Sequence, residues 1–319
     1  NSDCIKLIKR SIEENVDGII GGPPCQAYSI AGRVRDPNNM TLDYRNYLFE
    51  SYIDWINKIN PSFFVFENVM GMLSAKPDGP PIVDLISKSF RKIDFSIPEI
   101  DRKIVFNLSS FGGAQNRKRV IIFGVNNKKI KNGNEVISKF YNVLGNQFKK
   151  PKTVYDTIGD LEKLFPLKNP TSRISHGMSE TDPLHRSRFH SIRDMEIFKI
   201  LAEDQMKNDP QFSDVKSIKK LYEDIVGRTS SVHKYYVLRW NDQSNLIPAH
   251  LHKDGLRHIH PDPSQSRSIS MREAARLQDF PDSYIFENTQ SNIFKMIGNA
   301  VSPLMADKIA FSIKQIMSF

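Results

Sequence analysis

Two cysteines occur in the chain, and Cys25 is the one placed to react. It closes Gly21-Gly22-Pro23-Pro24-Cys25-Gln26, directly after Asp17-Gly18-Ile19-Ile20, which reads as a short buried strand. The glycines permit a sharp turn and the prolines fix φ just ahead of the sulfur, so the thiol is displayed at a strand end rather than carried into a helix. Open α/β sheets bind ligands at such ends. An inert core thiol is the competing reading of a bare Pro-Cys pair, because free cysteine is often buried. Further motifs favour the nucleophile: Glu67-Asn68-Val69 after a second strand, Gln115-Asn116-Arg117-Lys118-Arg119, and Gly298-Asn299-Ala300-Val301. A thiolate needs a pKa lowered by its surroundings, and Glu67 ends the neighbouring strand, within reach of what the thiol attacks.

The elements that must hold these residues alternate between helix and strand from Asp3 to Asn126. Strands are expected at Gly18 to Gly21, Phe63 to Glu67, Lys103 to Leu108 and Val120 to Val125, which predicts an α/β, doubly wound sheet. Leu48, Tyr52, Trp55, Ile56 and Ile59 recur at helical spacing until Pro61 stops them, and a second helix is expected over Ile82 to Ile93. Residues 151–265 differ in texture, rich in Pro, His, Ser and Asp, with amphipathic helices near 191–207 and 215–226. Ser268 to Asp282 reads as helical, with Ala274, Ala275 and Leu277 inside and Arg272 and Arg276 outside. A last helix starts with Ser302 as N-cap and Pro303 in its first position. The expected domains are 1–150 catalytic, 151–265 target recognition, 266–290 hinge and linking helix, and 291–319 a C-terminal helix returning to the first domain.

A formal charge of +9 and a pI of about 9.3 suggest an anionic partner. The lysine clusters at 128–131 and 149–152 read as solvated surface, whereas arginines and histidines between 173 and 276 look like a binding face. No run of 18 apolar residues and no secretory signal is present, which predicts a soluble, cytoplasmic protein with no membrane association. No zinc-ligand spacing exists, and His258-Ile259-His260 has no cysteine or spaced carboxylate to complete a set, so no metal is expected.

The four motifs in their order, with Arg272-Glu273-Ala274-Ala275-Arg276-Leu277-Gln278-Asp279-Phe280-Pro281-Asp282 as a fifth, resemble the cytosine-C5 DNA methyltransferases of bacterial restriction-modification systems. The resemblance covers Asp3 to about Asn126 and Ser266 to Phe319. It implies a Rossmann-like S-adenosylmethionine-dependent methyltransferase sheet with a smaller DNA-recognition domain, acting on double-stranded DNA near the bacterial nucleoid. Cys25 would add to C6 of cytosine and make C5 nucleophilic, Glu67 would assist at N3, and Arg119, paired on one strand face with Arg117, would contact O2.

The target base must leave the duplex to reach a thiolate. The resemblance gives closure over DNA to Ala27 to about Asp43, where Ser29, Arg33 and Arg35 follow Gln26 as DNA contacts, and Arg239 belongs to the recognition domain. It assigns S-adenosyl-L-methionine to Asp3, Pro24, Leu48 and Asn299. The family's opening strand and Phe-x-Gly-x-Gly turn do not precede Asp3, which predicts a further donor-binding segment of roughly 60 residues ahead of Asn1. A monomer with a cognate restriction endonuclease is the expectation. Methylation of RNA cytosine, or a DNA-binding subunit that needs a partner for donor binding, are alternatives on the same motifs.

Overall fold

The computed structural model describes residues 16–23, 48–76, 79–229 and 235–317. They form two compact units. The first gathers residues up to 107, 118–148 and 308 onward; the second gathers 108–117 and 149–307.

In the first unit, β1 (Gly18–Gly21) leads to α1 (Leu48–Ile59), and β2 (Phe63–Val69) follows within a few residues of the helix end. Asn60 adopts a left-handed conformation there, and Pro61 prevents the helix from continuing. Then come α2 (Ile82–Lys92), β3 (Phe95–Ser96), β4 (Val105–Asn107), β5 (Lys118–Asn126) and α3 (Gly133–Gly145). The sheet runs β1-β2-β5-β3, with β4 also pairing with β5; β1 and β2 are parallel and the pairings of β5 are antiparallel. It is a mixed α/β sheet, whose parallel β1-α1-β2 portion follows the expected alternation.

β2 and β5 are apolar almost throughout because helices cover them. Phe64 stacks on Phe90 of α2 at 4.1 Å between ring centroids, and Phe123 stacks on Phe140 of α3 at 4.2 Å. The Tyr52 hydroxyl donates to the carbonyls of Ile19 and Val65, fastening α1 across β1 and β2.

The second unit contains α4 (Val154–Ile158), α5 (Ile192–Gln205), α6 (Val215–Val226), α7 (Met271–Leu277) and α8 (Gln290–Asn299). Its larger apolar core joins α7 and α8 to Ile247 and Leu251; a smaller one joins α5 and α6 to Val237 and Ile259. α9 (Pro303–Ile316) begins in the second unit and ends in the first. The helix expected from Ser268 to Asp282 is only Met271–Leu277, because Ser270 and Glu273 form a capping box at its start and Asp279 turns left-handed just after it. Arg272, expected outside, is buried against Asp182.

Candidate active site

β1 and β2 are parallel neighbours, so both present their carboxyl ends at one edge, where β1 runs into Gly22-Pro23 and β2 into Glu67-Asn68-Val69. The two ends touch. A Cβ on Gly22 would lie 2.9 Å from Glu67 Oε2, so a side chain there would displace the carboxylate. Asn68 is buried; its Nδ2 donates to the Pro23 carbonyl at 3.3 Å while its Oδ1 accepts from the Val69 N–H at 2.9 Å. The chain that continues to Cys25 is therefore anchored two residues ahead of the thiol by the residue next to Glu67.

Arg119 reaches Glu67 from β5. It lies opposite Val69, so Glu67 is its diagonal same-face neighbour across the antiparallel pair. Arg119 Nε meets Glu67 Oε1 at 2.6 Å, and Arg119 Nη1 donates to the Lys118 carbonyl at 2.9 Å. The side chains keep 11% and 17% of their exposure, so the pair is held in one geometry yet open to a ligand. It offers a carboxylate and guanidinium donors side by side, the pattern needed to grip a planar heterocycle carrying both a ring nitrogen and a carbonyl.

Arg117 does not join this pair. β5 begins at Lys118, so the expected shared strand face is corrected: Arg117 precedes the strand and is buried in the second unit. There its Nη1 donates to the Ile247 carbonyl at 3.1 Å, and its Nη2 to the carbonyls of Gly298 at 3.1 Å and Ala300 at 3.0 Å.

Leu48 opens α1, half-buried and one turn ahead of Tyr52, whose ring would sit 2.6 Å from a Cβ on Gly21. It thus stands toward the carboxyl ends of β1 and β2. Asn299 ends α8 with its side chain exposed. Arg239 is exposed beside Asp242, at 3.7 Å. Cys25, Gln26, Ser29, Arg33, Arg35, Asp3 and Pro24 lie outside the described residues.

The basic face expected between 173 and 276 is only partly at the surface, with Arg267 and Arg272 buried as well. Arg173, Arg186, Arg239, Lys253 and Arg257 are exposed, but His176, His185, His190, His258 and His260 are buried and do not face a partner. His185 bonds Ser270 Oγ and the Glu162 carbonyl, His176 the Gln265 carbonyl, and His190 accepts from the Ser268 N–H. Burial pushes His176 down to about 4 and His258 and His260 to about 3, so these rings are neutral at neutral pH. At the centre, Arg267 grips Glu273 bidentately at 2.6 and 2.7 Å with both groups sealed from solvent. Burial alone would raise the Glu273 pKa, but Arg267 holds it well below the usual carboxylate range.

Sequence reasoning gave no role to Asn68, Gln115 or Gln278, which knit the motifs together. Gln115 Nε2 donates to Gln278 Oε1 at 2.7 Å, and Gln278 Nε2 to the Ala300 carbonyl at 2.8 Å. Their signal was available, since each lies inside a motif already singled out.

The described residues thus form a mixed α/β sheet with a carboxylate–guanidinium pair at the carboxyl ends of its parallel strands, β1 and β2. The family model for the C-5 cytosine-specific DNA methylases matches residues 1–315. The type II methyltransferase M.Bpa9945I of Bacillus paralicheniformis is 33% identical, covering 100% of this chain and 75% of its own length. M.NgoPII of Neisseria gonorrhoeae is 29% identical over 98% of this chain and 81% of its own. A solved structure of an Escherichia coli prophage-encoded protein assigned as a DNA modification methyltransferase matches with a TM-score of 0.59 and 26% identity, covering 99% of this chain and 83% of that one. The chain belongs to the C-5 cytosine-specific DNA methylase family and is a DNA cytosine-5 methyltransferase.

Proposed function

We propose that the protein methylates C5 of a flipped-out cytosine in a specific duplex DNA site, through a covalent bond between Cys25 and C6, as the modification enzyme of a type II restriction system. The observation that carries this reading is the Glu67–Arg119 pair at the end of β2, in contact with the Gly22-Pro23 turn that leads to Cys25.

Cytosine C5 is a weak nucleophile. The Cys25 thiolate adds to C6, and electron density moves through the ring toward N3 and O2. Glu67 supplies the proton or hydrogen bond at N3, help worth roughly 10²–10⁴-fold. Arg119, already fixed against Glu67, donates to O2, which also sets the ring in register with the sulfur. When bound, S-adenosyl-L-methionine supplies a sulfonium-activated methyl group, and Asp3, Pro24, Leu48 and Asn299 are the residues that would hold it. Loss of the C5 proton and expulsion of the Cys25 thiolate restore the aromatic ring.

The segment from Gln26 through Ser29, Arg33 and Arg35 meets the DNA beside the flipped base, and the exposed cations of the second unit, Arg239 among them, meet the phosphates. The protein acts in the bacterial cytoplasm as a monomer, with 151–265 as its recognition domain and a cognate endonuclease as its counterpart. Incubation with methyl-labelled S-adenosyl-L-methionine and duplex DNA, followed by nucleoside analysis, should yield labelled 5-methylcytosine at one sequence. Label in structured RNA but not in duplex DNA would overturn the reading.

A further inference from the structure

We infer that Arg117 is a positioning residue for the methyl donor, holding the backbone on both sides of Asn299 so that the Asn299 side chain is presented in one place. The inference rests on the reading of Asn299 as a donor contact.

An α-helix leaves its last carbonyls without partners inside the helix. α8 ends at Asn299, and Arg117 Nη2 takes the carbonyl before that residue and the carbonyl after it. A fixed cation also complements the negative end of the helix. Gln278 Nε2 adds a second donor to the Ala300 carbonyl. Opposite them, Ile247 is held through both backbone groups: its N–H donates to Gln115 Oε1 and its carbonyl accepts from Arg117 Nη1. Gly298 passes so close to Pro248 and Ala249 that a Cβ would lie 2.3 Å from the Ala249 nitrogen. Segments 247–249 and 298–300 are therefore locked together, with Asn299 exposed between two clamped carbonyls.

The fork geometry is essential. A guanidinium can serve Ile247, Gly298 and Ala300 at once from one plane, which a lysine ammonium on a flexible stem cannot reproduce.

The test is equilibrium titration of S-adenosylhomocysteine into the full-length protein as wild type, Arg117→Lys, Arg117→Leu and Gln278→Leu, with DNA affinity and steady-state kinetics measured in parallel. Arg117→Leu should bind the donor analogue about tenfold or more weakly, with Arg117→Lys between it and wild type, while DNA affinity stays within about threefold. The KM for the donor should rise with little change in kcat at saturating donor. Should Arg117→Leu fail to fold, Arg117→Lys and Gln278→Leu carry the same expectation. Unchanged affinity in folded variants, or a fall in kcat at constant KM, would overturn the positioning role alone. A wild-type protein that binds no S-adenosylhomocysteine would overturn the donor reading of Asn299 and this role with it.

Discussion

The open end of the first unit's sheet and the interior of the second unit use the same side chains for opposite purposes. Arg119 and Glu67 form one ion pair with part of each group left exposed, and the Gly22 backbone is pressed against it. Arg267 and Glu273 form a closer-knit pair with no exposure, reinforced by Gln265, Ser270 and the Ser268 carbonyl. Removing one partner of a sealed pair leaves an uncompensated buried charge, so the second pair governs stability. A pair with an open side keeps donors and acceptors available to a ligand, which is the property the proposed chemistry requires of the first. Residue type alone does not separate the two; burial does.

The contrast can be broken most sharply at the nucleophile. Cys25→Ala should lower methyl transfer by at least about 10⁴-fold while DNA binding and thermal unfolding stay near wild type, as read by label incorporation beside a gel-shift titration. Residual transfer within tenfold of wild type would remove Cys25 from the mechanism. Glu67→Gln comes next, with kcat down roughly 10²–10⁴-fold and only a small change in unfolding midpoint. Arg267→Met should do the reverse inside the second unit, costing about 3–5 kcal/mol in urea unfolding. A site-like loss of activity in a fully stable Arg267→Met protein would erase the distinction between the two pairs.

A smaller effect should appear with pH. The folded-state value of His176 lies near 4, below its ordinary 6.5, because burial disfavours the charged ring. A depressed value contributes stability that is present above 6.5 and lost as pH falls through about 4. His176→Asn removes that dependence, so the stability difference between wild type and variant should shrink over this window, by at most about 1.4 kcal/mol per pH unit. The smallest effect is expected at Arg239, which is exposed and only loosely paired. Arg239→Ala should weaken DNA binding a few-fold and flatten its salt dependence by about one unit of slope.

Much of this was legible in the sequence. β1 and α6 fall where the sequence pattern put them, α1 and α2 match to within a residue because apolar spacing and Pro61 leave few alternatives, and α9 starts at Pro303 as its Ser302-Pro303 signal requires. Glu67 and Arg119 emerged from motif order, and the structure brings them together. The buried histidines were misread as a binding face because a neutral imidazole, able to donate and accept at once, suits an interior as well as a surface. Arg117 was misplaced for a related reason. A two-residue spacing implies a shared face only if both residues lie in the strand, and where β5 starts is set by its pairing with Asn107.

The central claim is that Cys25 forms a covalent bond to the base beside Glu67 and Arg119. Duplex DNA carrying 5-fluorocytosine at candidate sites tests it most directly, since fluorine blocks the final loss of the C5 proton and traps the intermediate. With S-adenosyl-L-methionine present, a denaturation-resistant protein–DNA adduct should form on one sequence and map to Cys25. Tight DNA binding with no adduct on any duplex, or an adduct mapping to another residue, would contradict the account.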